Sequence, residues 1–456
     1  MKIKLAPLLG GLAALLVILF LAVSIGGYLW LDRFLRGEEC RKIISHLVGQ
    51  QVGLVGEFEP LSWTGFSVYS GGFNGAREGN GAVASASLDR IRAELRLASL
   101  FRGVWEIPEI TMERLELDLT PPPRRPDGTL PEPPPVPALE IAPSPALAVL
   151  PREVKIGQIV CRDTTITWPS DTGEVSRLSG ATVTAQPDGP SWTFQVNGGR
   201  LTTPGFPETT IDSGFVRLNP GDFLFLESQL RDNSGGTAEL RGKVEMAGAK
   251  RIELNASFRN IDVSPFLDAD WRQRLTGRAE GDLKITGTPV RSDLKIQGSV
   301  RLKEAKLEAL PILNTIALLT QTQEFRTIRF QVAEGTVEWT PANLLVSDLN
   351  VESQLLLKIL GQVRAEGPNL SGQLMVGTTP QTVRLIPGAE EKVFSDARDG
   401  YIWTPVVLSG TVDAPKEDLT PRLQQAAVGT VIEAVPSTVR EKAGDLLDSL
   451  GRALGF

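Results

Sequence analysis

The chain is short of the residues that do most protein chemistry. Its 456 residues include one histidine, His46, and two cysteines, Cys40 and Cys161. Histidine supplies most general bases and most catalytic metal ligands. One copy argues against both roles, so no catalytic residue and no metal ligand is assigned and no enzyme activity is expected. Two cysteines are too few for a disulfide framework; a single bridge and two free thiols both fit. Positive charge is not in surplus either, since the formal net charge is −7. Binding nucleic acid requires a basic stripe that neutralises phosphates, so no nucleic-acid partner is expected. A nucleotide-binding loop is also missing, and no cofactor is expected.

What the chain does have begins at its start. Lys2 and Lys4 precede an uncharged run from Leu5 to Leu31. A helix needs about 20 apolar residues to cross a ~30 Å hydrocarbon core. Residues 1–31 are therefore read as a transmembrane anchor, with Tyr28 and Trp30 at the membrane interface. The competing reading is a cleaved signal peptide, whose apolar region spans only about 7–15 residues. Basic residues flank both ends of the run, so charge does not set its orientation. Residues 32–50 continue at helical spacing through Phe34, Leu35, Ile43, Ile44, Leu47 and Val48, which predicts a juxtamembrane helix.

Beyond Gln51 the texture changes to short alternating segments separated by Gly, Asn, Asp and Pro, the sign of half-buried strands. Residues 51–119 form an N-terminal β region. Residues 120–152 are crowded with proline, which fixes φ and donates no ladder hydrogen bond, and read as a linker or loop. Strand-like segments resume over 153–420, interrupted by a helix near 311–325. Residues 421–456 return to helical spacing as amphipathic C-terminal helices that Pro436 should break in two. The one dense acidic cluster is Glu390, Glu391, Asp396 and Asp399, with no basic or histidine partner evident in the sequence.

Alternation puts successive side chains on opposite faces of a sheet. The inward set is read as Leu283, Ile285, Leu294, Ile296, Val300, Leu302, Val337, Trp339, Leu344, Val346, Leu355, Leu357, Ile359 and Val363. An uncovered face of this kind would shelter acyl chains. The same alternation also builds an ordinary β-sandwich core, and periodicity does not separate the two. The run Gln354–Leu360 (QLLLKIL) also fits a strand buried on both faces.

Three stretches carry a family likeness: Phe58-Glu59-Pro60-Leu61-Ser62-Trp63 after the opening helices, Asn260–Ala305, and Leu307–Trp339. The chain resembles the AsmA-like family, the AsmA/TamB-type bridge-like proteins of bacterial envelopes. The resemblance implies a mainly β fold, in which an elongated, curved, taco-like antiparallel sheet with a hydrophobic groove follows the anchor. It implies a bacterial inner-membrane protein with its bulk in the periplasm. Phospholipids would be its cargo, bound in the groove and carried toward the outer membrane. Envelope or outer-membrane proteins could then be met through the C-terminal helices. A non-enzymatic periplasmic scaffold for outer-membrane protein assembly is the alternative.

Overall fold

The computed structural model describes residues 33, 36–77, 83–96, 104–122, 153–169, 173–219, 222–245, 251–288, 293–308, 317–318, 323–353 and 356–434. The expected anchor with Tyr28 and Trp30 lies outside these residues. So do Leu355, most of the helix expected at 311–325, and everything after Ala434. Among the described residues no helix is long and apolar enough to cross a membrane. Contacts divide the chain into two compact units, residues 1–204 with 208–220, and residues 205–207 with 221–456.

The first unit opens with helix α1 (Glu38–Val52). Arg33 is helical as well, and a turn at Arg36 and Gly37, the latter with an extended backbone, breaks the helix expected from residue 32 before α1. Gly53, at φ 69°, ends it in the left-handed conformation that suits glycine. Ten strands follow: β1 (Leu54–Phe58), β2 (Leu61–Thr64), β3 (Ser67–Arg77), β4 (Ser85–Glu94), β5 (Val104–Asp118), β6 (Glu153–Pro169), β7 (Val175–Asp188), β8 (Ser191–Asn197), β9 (Arg200–Thr202) and β10 (Thr209–Asn219). β1 and β2 share one side of β3, and β4 lies on the other. Pairing continues through β5, β6 and β7 to β8 and β9, which both pair with β10.

One pairing corrects the wholly antiparallel expectation. β5 and β6 run parallel, from Val104 opposite Glu153 to Asp118 opposite Thr167. A parallel pair needs a long crossover, and the proline-rich segment connects these two strands. Proline thus marks a connection here, and the sheet continues on both sides of it. The parallel step also keeps the faces in phase. Ala93, Ile110, Ile159, Ala185, Phe194 and Val216 form one apolar row across β4 to β10.

The second unit holds β11 (Asp222–Asp232), β12 (Thr237–Glu245), β13 (Ile252–Asp262), β14 (Leu275–Gly287), β15 (Lys295–Glu308), β16 (Thr327–Arg329), β17 (Val332–Trp339), β18 (Asn343–Ser353), β19 (Leu357–Glu366), β20 (Asn369–Thr378), β21 (Asp396–Arg398), β22 (Tyr401–Gly410) and β23 (Pro415–Glu417). Its helices are α2 (Ala269–Arg274), α3 (Pro380–Arg384), α4 (Ala389–Lys392) and α5 (Leu419–Ala434). The ladder is antiparallel from β11 to β15, then β17 to β20, then β22; β16 flanks β15, and β21 and β23 flank β22.

Turn chemistry sets the register. The β7–β8 and β19–β20 hairpins each close on a Gly-Pro pair, with φ of 60° at Gly189 and 56° at Gly367. Glycine takes that φ without steric cost, and the turn's twist matches that of the strands. Mid-strand glycine has a different use. A Cβ at Gly298 would lie 1.9 Å from the carbonyl oxygen of Asp282 on the neighbouring strand. Gly298→Val should therefore lower stability by about 1–3 kcal/mol, read as a fall in the thermal midpoint. Ser299→Val, the exposed position next along β15, should stay within about 0.5 kcal/mol.

Candidate functional site

In an antiparallel pair, residues directly opposite each other share a face. The register therefore sorts every side chain of the second unit. One row runs Ile285, Ile296, Trp339, Leu344, Ala365 and Leu370 from β14 to β20. The next runs Leu283, Gly298, Val337, Val346, Val363, Gly372 and Leu408. On β12 and β13 the same face carries Leu240, Val244, Ile252, Leu254 and Ala256. The intervening residues lie on the opposite face. On β15 these are Lys295, Gln297, Ser299 and Arg301, all exposed, whereas Ile296, Gly298, Val300 and Leu302 are half-buried. All the inward residues read from the sequence that lie within the ladder share this face. Leu294, just before β15, is half-buried.

Bulges would break this order if the sequence did not allow for them. β13, β15 and β18 each contain an extra residue where the register shifts. Near each shift one non-glycine residue has positive φ: Asn260 at 59°, Glu304 at 52° and Asp348 at 50°. An inserted residue flips the alternation beyond it. The apolar spacing lengthens from two to three at these places, from Phe258 to Ile261, from Leu302 to Ala305 and from Val346 to Leu349. The apolar set thus stays on one face across each bulge.

Part of the face is covered. Phe325, Ile328 and Phe330, residues of α3 and α4, and Leu419, Leu423 and Ala426 of α5 form one buried cluster. It packs on Leu302, Ala333, Val351, Leu357, Ile359, Val376, Ile402 and Val406. Leu357 is 8 % exposed. This corrects the sequence reading at Leu302, Leu357 and Ile359, which lie under the helical cap. The other inward residues of the ladder, from Leu283 and Ile285 to Val346 and Val363, are outside that cluster and half-buried or exposed; Leu344 reaches 36 % exposure.

The cap is tied to the sheet edge by polar bonds. Glu417 accepts the N–H groups of Leu419 and Thr420 at 2.6 and 2.8 Å, satisfying the start of α5. Asp418 accepts the Val407 N–H at 2.8 Å. Arg422 donates to the Pro405 carbonyl at 2.8 Å and also to the Thr404 hydroxyl. Leu419, Leu423 and Ala426 of α5 therefore face into the cap.

Elsewhere the structure revises smaller readings. The acidic cluster has basic partners after all, with Glu390 3.8 Å from Arg384 and Asp396 3.3 Å from Arg398, in exposed pairs. The run around Leu357 is not buried on both faces, because Lys358 pairs with Glu352 at 2.8 Å on the other one. Both cysteines are free and buried, and desolvation pushes the Cys40 thiol up to about 11. The polar face has a depression of about 630 Å³ between β13 and β18. It is lined by charges already paired, such as Arg301 with Glu334 at 2.7 Å and Lys303 with Glu280 at 2.5 Å. The hydrogen bond from Arg301 holds the Glu334 carboxyl below the usual carboxylate range. No apolar ligand suits that wall.

Sequence reasoning missed Leu240, Leu254 and Ala256 and the inward positions of β20 and β22. Alternation was present in all four strands, but only the register shows that they extend the same face.

These features define an open-faced β-sheet protein with an apolar band that helices close on one side. Residues 227–385 match the family model for the TamB C-terminal domain. The AsmA/TamB-type resemblance therefore holds over this stretch of the second unit, which the chain carries as a TamB-type domain. Comparison with curated proteins and with solved structures finds no match.

An open band and a packed core respond differently to polar substitution. Ile285→Asn should cost less than about 1 kcal/mol, because its amide reaches water, whereas Leu357→Asn under the cap should cost about 2–4 kcal/mol. Equal losses in chemical denaturation would identify the whole face as core.

Proposed function

We propose that the chain is a non-enzymatic inner-membrane protein, held by the apolar run before Leu31, with its body in the periplasm. In this reading the uncovered band binds phospholipid acyl chains and supports their transfer toward the outer membrane. The observation that carries it is the band itself. Nonpolar rows run across successive strands, no charged side chain enters them, and among the described residues no element packs over them. Contiguous apolar surface of this kind marks ligand-binding grooves and interaction sites. The TamB-type match over the same strands supports an envelope transport role.

The physics suits transport. Burying acyl chains gains about 0.8 kcal/mol per CH₂, enough to draw a lipid from water. Successive strands present nearly the same wall, so movement from strand to strand meets only small barriers. No residue has to react.

Photocrosslinkers at Ile285 and Leu357 in the full chain, purified gently from membranes, test this. Phospholipid should co-purify, and mass spectrometry should find lipid adducts at Ile285 and none at Leu357. If no lipid co-purifies and no adduct forms at Ile285, Ile296, Val337 or Val363, transport fails and a scaffold role takes its place.

A further inference from the structure

We infer that the helical cap is a floor that limits acyl-chain length, with lipids entering tail-first along the strands and headgroups staying at the opposite rim. This rests on the lipid-binding reading above and deepens it.

The boundary between open and covered face follows the register. Ala333, Val351, Ile359 and Val376 are paired in sequence from β17 to β20, and all four pack in the cap cluster or against it. Leu302 on β15 also packs against it. One row toward the other rim, Val300 on β15 and Leu349 on β18 are outside the cluster, whereas Leu374 and Val406, which continue that row on β20 and β22, pack against it or in it. The covered area thus ends before this row on β15 and β18 and reaches it on β20 and β22.

The two sides of the band differ in polarity. Beyond the floor is a dry cluster that includes Phe325 and Ile328, 2 % and 0 % exposed. Beyond the mouth row of Ile296, Trp339 and Leu344 lie polar turns. Thr340 and Asn343 exchange backbone hydrogen bonds there at 2.8 and 3.1 Å, and Thr288 donates to Asp293 at 3.0 Å. A tail suits the first side and a headgroup the second.

The span fits one chain. From Ile296 to Leu302, or from Trp339 to Ala333, the open stretch is roughly 20 Å at ~3.3 Å per residue. An ordinary acyl chain covers about half of a ~30 Å bilayer core, or about 15 Å. Lipids held this way still shift sideways from strand to strand with their tails along the floor. A chain lying across the strands would meet no such limit, because the rows continue from β14 to β20.

The test displaces a fluorescent fatty acid from the full chain with saturated fatty acids of stepwise increasing length. Affinity should rise about fourfold per added methylene and then level off at a defined length. Leu302→Ala should loosen the floor only over β15. Val300→Phe combined with Leu349→Phe, which narrows the open side on both β15 and β18, should move the break to shorter chains and does not depend on the alanine variant folding well. A steady rise with no break, or a break that the double phenylalanine variant leaves in place, overturns the floor and leaves lipid binding standing. Absence of binding at every length overturns the lipid reading itself.

Discussion

The structure depends on the register of its backbone hydrogen bonds. Side chains alternate at every residue, so a slip of one position would move a strand's whole apolar set to the charged face. Gly-Pro hairpins pin the register at β7–β8 and β19–β20. The bulges at Asn260, Glu304 and Asp348 are the places where it would be lost, and there the apolar spacing lengthens by one. Asparagine and aspartate tolerate positive φ better than most residues. Glu304 has no such ease, and its strain is maintained by pairing on both sides of the bulge.

A sheet with an uncovered apolar face also risks pairing at its edges with other chains. Each unit blunts an outer strand in the same way. In the first, Arg41 of α1 donates to the Phe58 carbonyl at 2.9 Å, and buried Ser45 accepts the Phe58 N–H at 3.0 Å. In the second, Asp418 and Arg422 satisfy Val407 and Pro405 of β22, and Pro405 has no N–H to offer. Both edges use helix side chains to occupy backbone groups that another strand would seek. The face stays open while these edges are closed, which fits the proposed acyl-chain ligand, since such a ligand needs no backbone pairing.

Much of this was legible in the sequence. The β texture follows from alternation and the short helix before β1 from helical spacing, and alternation also puts those inward residues that lie within the ladder on one face. Three things were not legible. The parallel β5–β6 pair was hidden, because reading the proline-rich segment as a linker or loop leaves open whether the strands on either side of it pair. The cap was hidden, because Leu302, Leu357 and Ile359 look the same in sequence whether a helix or a lipid lies over them. The partners of Glu390 and Asp396 were hidden, because Arg384 and Arg398 were not weighed with them. Alternation assigns a residue to a face; what covers that face is decided by segments distant in sequence, here the stretch after β20 and α5.

That division explains why the cap and the open band are made of the same residue types. Valine, leucine and isoleucine line both, and each gains from being covered. Under the cap the cover is Phe325, Ile328, Leu419 and Leu423, fixed in the fold. Over the band no described residue supplies such a cover, and in the proposed reading an apolar ligand supplies it. Filling the band with larger side chains or extending the helices across it would stabilise the isolated chain by the route that stabilises any core, and would remove its binding surface. The uncovered rows are therefore better explained by a ligand than by imperfect packing. Imperfect packing would scatter voids through the sheet, whereas here the open positions adjoin along shared registers.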